Sequence, residues 1–258
     1  VHAKYKKTDI AGLRPEEQLE LIGEKTHELV ALQYSTYNRS LLPALKQQGL
    51  QIVSEHEELT EKDGNFVDRF FHDNVYPVLT PMAVDSSRPF PLIRNIAALV
   101  QKKNGADGLE FAMVQVPSGL PRIVELPADG NGERRVILLE EIIERNMKEL
   151  FLNYNIVSAH PFRIMRNADF TLDEEEAEDL LEEIQKQLKK RQWGEVIRLE
   201  VEEKVDKRLL KILKRELSVG NDDIYEINGP LDLTFLMKMY GMSGFDELKT
   251  PSYTPQPI

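Results

Sequence analysis

The sequence has 258 residues, 41% of them hydrophobic and 30% charged, which is enough chain for one or two domains with a buried core. It contains no cysteine, which excludes disulfides, thiolate metal sites and cysteine nucleophiles. A formal net charge of −11 speaks against a general nucleic-acid binder, and no apolar run approaches the ~20 residues of a membrane span.

The first residues, VHAKYKKTD, lack the apolar stretch of a secretory signal. Residues 15–48 read as one long helix: Pro15 suits a first turn, Gly49 suits a stop, and Leu19, Ile22, Leu29, Leu32 and Leu41 form an apolar stripe. Pro43 should kink the last turns. A stripe of that length needs a partner helix. The few residues before Pro15 cannot supply one, and the chain begins at Val1 rather than Met, so more helix is expected upstream. A second helix is predicted over 60–74, with Thr60 and Asp63 resembling a capping box.

Next comes YPVLTPMAVDSSRPFPLIRN, residues 76–95, which crowds Pro77, Pro81, Pro89 and Pro91 and sets Phe90 between two prolines. No acid falls between Asp85 and Asp107, while Arg88, Arg94, Lys102 and Lys103 do, making a local positive region in a negative chain. Strands are predicted at 96–103, 109–116 and 122–127, with NGAD and PSGLP as the turns between them. Residues 134–151 run from strand into helix, and 156–166 form another strand. An amphipathic helix is expected over 173–192 with Leu180, Leu181, Ile184 and Leu188 inward; its segment DEEEAEDLLEE holds eight acids and no base and reads as a solvated face. A strand at 195–202, a helix at 207–217 and the segment GPLDLTFLMKMYG follow, and ELKTPSYTPQPI reads as a linker. The order is a helical piece followed by an α+β domain.

Common catalytic motifs are missing: there is no GxxxxGK[ST], no GxGxxG after a strand, no GxSxG and no HExxH. His2, His27, His56, His72 and His160 show no metal spacing, and His160 in SAHPFR reads as a half-buried packing residue. Arginines at strand ends say more. Arg122 follows Pro121, and Arg163 and Arg166 bracket the end of PFRIMRN. A guanidinium presents planar donors matched to phosphate oxygens, so several converging away from acids would line a phosphate channel. Structural pairing with the chain's many acids is the equal alternative.

The stretch 76–95 closely resembles the signature that opens the head domain of bacterial polyphosphate kinases. The likeness continues in register through LPRIVELP, ILLEEIIERNMKELF, FRIMRNADF, VIRLEVE and NGPLDLTFLM, and closes at ELKTPSYTP. It implies an α+β fold in three parts: residues 1–57 as the end of a helical N-terminal domain, 58–240 as a head domain with a mixed sheet flanked by helices, and 241–258 as a linker toward a catalytic C-terminal half. The implied activity of the full-length enzyme is reversible transfer of the terminal phosphate of ATP to inorganic polyphosphate, through a phosphohistidine and with Mg2+, yielding ADP. The head domain is implied to pack against a second subunit, in a homo-oligomer of at least two chains, and to wall part of a polyphosphate tunnel. The implied location is cytoplasmic, or peripheral at the inner membrane for the full-length enzyme, with no transmembrane segment and no nucleic acid.

The same resemblance places the phosphorylated histidine and most ligands of magnesium and nucleotide beyond Ile258, and an adenine-holding segment upstream of Val1. No catalytic residue and no metal ligand is therefore expected here, and the isolated chain is expected to be inactive. Asn95, Arg122, Arg163 and Arg166 fall on family-like positions and are the candidate polyphosphate-binding residues. The family commonly has histidine and serine where this chain has Arg88 and Arg94, so those two read as local surface choices. The alternative is a stand-alone α+β interaction module whose basic residues are plain surface charge.

Overall fold

The computed structural model describes residues 8–79, 81–83, 94–104, 108–128, 130, 132–167, 194–251 and 253–254. The proline-rich stretch around Phe90 with Arg88, most of the NGAD turn, the acidic helix expected over 173–192 and the last residues of the expected linker lie outside them.

Helix α1 (Pro15–Thr36) starts where the sequence predicts, with the Glu17 carboxylate accepting from the Arg14 amide at 2.7 Å. At Tyr37–Leu41 the helix widens into a π turn, in which the Leu42 amide donates to the Tyr37 carbonyl. Helix α2 (Leu42–Gln47) then resumes with Pro43 in its first turn. A proline ring clashes with the carbonyl four residues back, and the wide turn relieves that clash, so the expected kink takes the form of a π bulge. The predicted apolar stripe is bare: Leu32 is 64% exposed, and Leu19, Ile22 and Leu29 are exposed with it. A different face turns inward from the middle of the run onward: His27 stacks on Tyr225 with ring centroids 4.0 Å apart, Val30 packs beside it, and Tyr34 and Tyr37 are buried.

Gly49 takes a φ of 79°, which glycine adopts freely, and reverses the chain into strand β1 (Leu50–Val53), which the sequence reading did not place. Strand β1 runs parallel to β6 (Arg134–Leu138), and β5 (Ile123–Glu125) completes a three-stranded sheet on the other side of β6. Residues from both sides of the boundary expected after residue 57 thus share one sheet. Helix α3 (Glu61–Phe70) is capped by Thr60, whose hydroxyl accepts from the Asp63 amide at 3.2 Å. The buried Asp63 carboxylate accepts from Arg135 at 2.6 and 3.0 Å, which fastens α3 to β6.

The expected mixed sheet is a second, six-stranded one. Its order is β2 (Pro81–Ala83), β4 (Glu110–Gln115), β3 (Asn95–Lys102), β7 (Tyr154–Arg166), β8 (Val196–Glu202) and β9 (Ile224–Ile227), antiparallel throughout except for β8 with β9. Strand β3 is buried on both faces, with Ile96, Ala98 and Val100 on one side and Ala97 and Leu99 on the other. The first face packs on α3, the π turn that follows it, and α4 (Leu139–Arg145), through Val67, Phe71, Ile142 and Ile143. A short helix α5 (Met147–Leu150) leads from there into β7. The second face packs on α6 (Lys207–Leu217), whose Leu209, Leu213 and Leu217 meet Phe162, Ile164, Leu199 and Val201. Each of those leucines stabilises the pairing by roughly 1.5–3 kcal/mol by area removed from water. Helix α7 (Phe235–Tyr240) closes the three-stranded sheet with Phe235 and Met239. No helix among the described residues is long and apolar enough to cross a membrane.

Candidate functional site

A short turn, residues 228–234, joins β9 to α7 and gathers arginines from separate strands. The helical N-terminal run fixes it: Tyr34 donates its hydroxyl to the Pro230 carbonyl at 2.9 Å, and Asn38 donates to the Asn228 carbonyl at 2.7 Å. Gly229 is needed there, because its φ is 138° and an added Cβ would meet the Tyr34 ring at 3.4 Å. Asp232 takes a φ of 63°, tolerable for an aspartate whose carboxylate accepts from the Thr234 amide at 3.1 Å. That bend points the other carboxylate oxygen at Arg94, 2.9 Å away.

Arg122, at the entry to β5, is almost wholly buried together with Glu140 in the first turn of α4. Its Nε donates to Glu140 at 2.9 Å, its Nη2 donates to Glu140 and to the Leu231 carbonyl, and its Nη1 donates to the Asp232 carbonyl. The guanidinium also lies 4.9 Å over the Phe235 ring. Arg163 of β7 faces Glu200 of β8 in register, its Nη1 at 3.2 Å, and Arg198 meets the same carboxylate at 2.8 Å. Four guanidiniums therefore share three carboxylates, those of Glu140, Glu200 and Asp232.

The electrostatics follow from that crowding. Burial works against the Asp232 charge, but the Thr234 hydrogen bonds and then the Arg163 and Arg122 charges hold its carboxyl below the usual range. Burial, and then the neighbouring Arg122 charge, pull the Arg94 guanidinium below its ordinary value. Burial raises the Tyr37 phenol to about 12, with the Arg122 charge opposing. Exposure separates the members: Arg163 is 28% exposed, against 5% for Arg122. Among the described residues the Arg163 side chain makes no hydrogen bond beyond those of Nη1 to Glu200, and it is the most exposed of the four guanidiniums.

Of the four residues singled out from the sequence, the structure brings Arg122 and Arg163 together. Asn95, wholly buried, opens β3 opposite Gln115 and Phe162. Arg166 ends β7 away from the turn and donates to the Gly194 carbonyl at 2.7 Å; burial lowers its pKa. Arg94 corrects the sequence reading. It is largely buried and ion-paired to Asp232, and so is no surface choice. Arg198, Glu140, Glu200 and Asp232 were also missed. The alternation of Arg198 and Glu200 along one strand face was the available signal, whereas the Arg122 partners lie 18 and 109–110 positions away in sequence.

Comparison with known proteins agrees with this architecture. The family model described as the polyphosphate kinase middle domain matches residues 62–239, and the one described as the polyphosphate kinase N-terminal domain matches residues 1–53. The polyphosphate kinase of Halalkalibacterium halodurans is 42% identical over 254 residues, covering 96% of this chain and 36% of that protein. The polyphosphate kinase of Lactiplantibacillus plantarum is 44% identical over 254 residues, covering 96% and 35%. The chain thus spans about a third of the length of the curated relatives it matches. The crystal structure of polyphosphate kinase from Porphyromonas gingivalis superposes with a TM-score of 0.70 at 20% identity, covering 93% of this chain and 34% of that one, a likeness of fold.

Proposed function

The chain belongs to the polyphosphate kinase family, and from that premise we propose that it is the part of an ATP:polyphosphate phosphotransferase that walls the polyphosphate path and pairs with a second subunit. The phosphohistidine that carries the transferred phosphate then belongs to another part of the enzyme, and this chain alone is inactive. The convergence of Arg94, Arg122 and Arg163 around one turn, with Arg198 beside them on Glu200, in a chain with a net charge of −11 is the observation that carries the reading. A polyanion is attracted to such a focus and repelled elsewhere.

Asn95, Arg122, Arg163 and Arg166 remain the candidate polyphosphate residues, with unequal parts. Arg163 meets phosphate oxygens with its free donors. Arg166, half-buried at the end of β7, adds charge to the same polyanion. Arg122 acts from behind, since its bonds to Glu140 and two carbonyls hold the turn that places Arg163. Asn95 holds the start of β3, beside Arg94.

Magnesium and ATP do not fit this site. Glu140, Glu200 and Asp232 are each tied to a guanidinium, which leaves no carboxylate here to ligate a cation. No step through magnesium–ATP is assigned to these residues. The test has two arms on the isolated chain. It should bind long-chain polyphosphate weakly, with an affinity that falls steeply as salt rises. Incubated with labelled ATP, magnesium and polyphosphate, it should acquire no acid-labile label. Label on His160 or another histidine here, or polyphosphate binding indifferent to salt, would overturn the reading.

A further inference from the structure

A second charged cluster lies at the C-terminal end of β8, beside the same turn. Glu141 and Glu144 stand one turn apart on α4, Glu202 ends β8, and the carboxylate oxygens of the three lie within 4.8 Å of one another. Two histidines close on them from other elements. The backbone amide of His56 donates to Glu141 at 3.0 Å, and its ring Nδ1 lies 3.3 Å from the same oxygen. His160 of β7 sets its ring Nδ1 3.0 Å from Glu202. Glu141 and Glu202 also line a cavity of about 230 Å³ whose walls include Glu55, Glu140, Glu203 and Lys204.

The nearby cations are tied elsewhere. Arg145 holds Asp68 at 2.7 and 3.1 Å, and the solvent-exposed Lys204 lies 3.6 Å from Glu55. Glu140 is spent on Arg122, and Glu57 lies 3.3 Å from His56 Nε2. Three carboxylates at this spacing, with Glu55, Glu57 and Glu203 around them and two imidazoles against them, repel one another, and a proton kept by one of them relieves that repulsion.

We propose that Glu141, Glu144 and Glu202, with His56 and His160, form a proton-held latch between α4 and the end of β8. It is closed while one carboxyl keeps its proton and loosened when that proton leaves. Helix α4 continues directly from β6, so the latch fastens the three-stranded sheet to the six-stranded one. While protonated, a Glu144 O–H can donate to a neighbouring carboxylate. Once ionised, it adds a third negative charge to a group that has only the imidazoles of His56 and His160 against it.

The proton balance supports this. Burial, and then the Glu202 and Glu141 charges, raise the Glu144 carboxyl to about 9, and burial also raises Glu141 against the pull of His56. For His56, burial opposes the imidazolium, but the Glu141 hydrogen bond and the Glu57 charge outweigh it and raise the pKa. The folded chain thus keeps protons that the unfolded chain has released. The stabilisation is whole below the ordinary carboxyl value and is lost as pH rises through about 9.

The test is a carboxyl carbon NMR titration of the 258-residue chain with labelled glutamate, run beside urea unfolding from about pH 6 to about pH 10. One resonance, absent in Glu144→Gln, should titrate near 9, and the urea midpoint of the parent should fall steadily from about pH 6 to about 9 and level off beyond it. Glu144→Gln, which is neutral at every pH, should flatten that fall. If Glu144→Gln fails to fold, Glu202→Gln removes a charge that raises Glu144, so the resonance near 9 should remain but titrate at lower pH and the fall of the urea midpoint should become shallower. Glutamate resonances that all titrate in the ordinary acidic range, or a variant that loses stability with pH as steeply as the parent, would overturn the latch.

Discussion

Two junctions in this chain handle buried charge in opposite ways. At the turn over residues 228–234, four guanidiniums meet three carboxylates, so every carboxylate has its opposite charge and one positive charge is left over. At the end of β8, carboxylates meet one another, and the charge is removed by a proton. Guanidiniums stay protonated into strong alkali, so the first junction fails only in acid, when its carboxylates take up protons. The second is strongest in acid and weakens in alkali. The lesson is that a −11 chain does not simply repel itself. It sorts its acids into those paired with arginine and those that keep a proton.

The largest expected effect breaks the ion-paired junction. Arg122→Ala leaves Glu140 buried with no countercharge and strips donors from two carbonyls, and should cost about 3–5 kcal/mol in urea unfolding. Adding Glu140→Gln should recover part of that loss, since the penalty lies mainly in the abandoned charge. If Arg122→Ala costs under ~1 kcal/mol, the pair is not the cement described here.

The acid limb comes next. Arg145 bonds first of all hold the Asp68 carboxyl low; for Asp63, burial opposes, and the Arg135 and Thr60 bonds win. Their stabilisation is present above the ordinary aspartate value and is lost as pH falls through their lowered values. Asp63→Asn should cost about 2 kcal/mol at neutral pH and flatten the acid loss of stability, as read by urea midpoints across the acid range. A smaller effect is expected from Arg163→Ala, roughly 1 kcal/mol or less, because Arg163 is partly exposed and Glu200 retains Arg198. Smallest is the bare face of α1: Leu29→Ser with Leu32→Ser should shift stability by no more than about 0.5 kcal/mol. The same pair should reduce any self-association measured by sedimentation, and an unchanged sedimentation profile of a self-associating chain would clear that face.

Periodicity made much of the fold legible. Helix α6 was read with its observed bounds, and β3, β4, β7 and β8 lay within two residues of the reading, because each carries an apolar face that only one period explains. Strands β1 and β9, four residues each, are too short to show a period. The π turn at Tyr37–Leu41 left no compositional mark beyond Pro43. The arginines of the site were legible as a residue type, but their partners were not. Arg94 reaches Asp232 across 138 positions and Arg163 reaches Glu200 across 37, pairings that only the packed sheet creates. The latch was invisible for the same reason, since Glu141, Glu144 and Glu202 look in sequence like ordinary surface acids.

The most direct test of the central claim uses the full-length enzyme with Arg163→Ala and Arg166→Ala, separately and together. The apparent KM for polyphosphate, and that for ATP, would be followed over a range of salt concentrations. The account predicts that the polyphosphate KM rises modestly in each single variant and further in the double. The gap to the parent should be largest at low salt and close as the Debye length shrinks toward ~3 Å near 1 M, with the ATP KM unmoved. A stably folded double variant that uses polyphosphate like the parent at every salt concentration would contradict the account and leave these arginines a purely structural role.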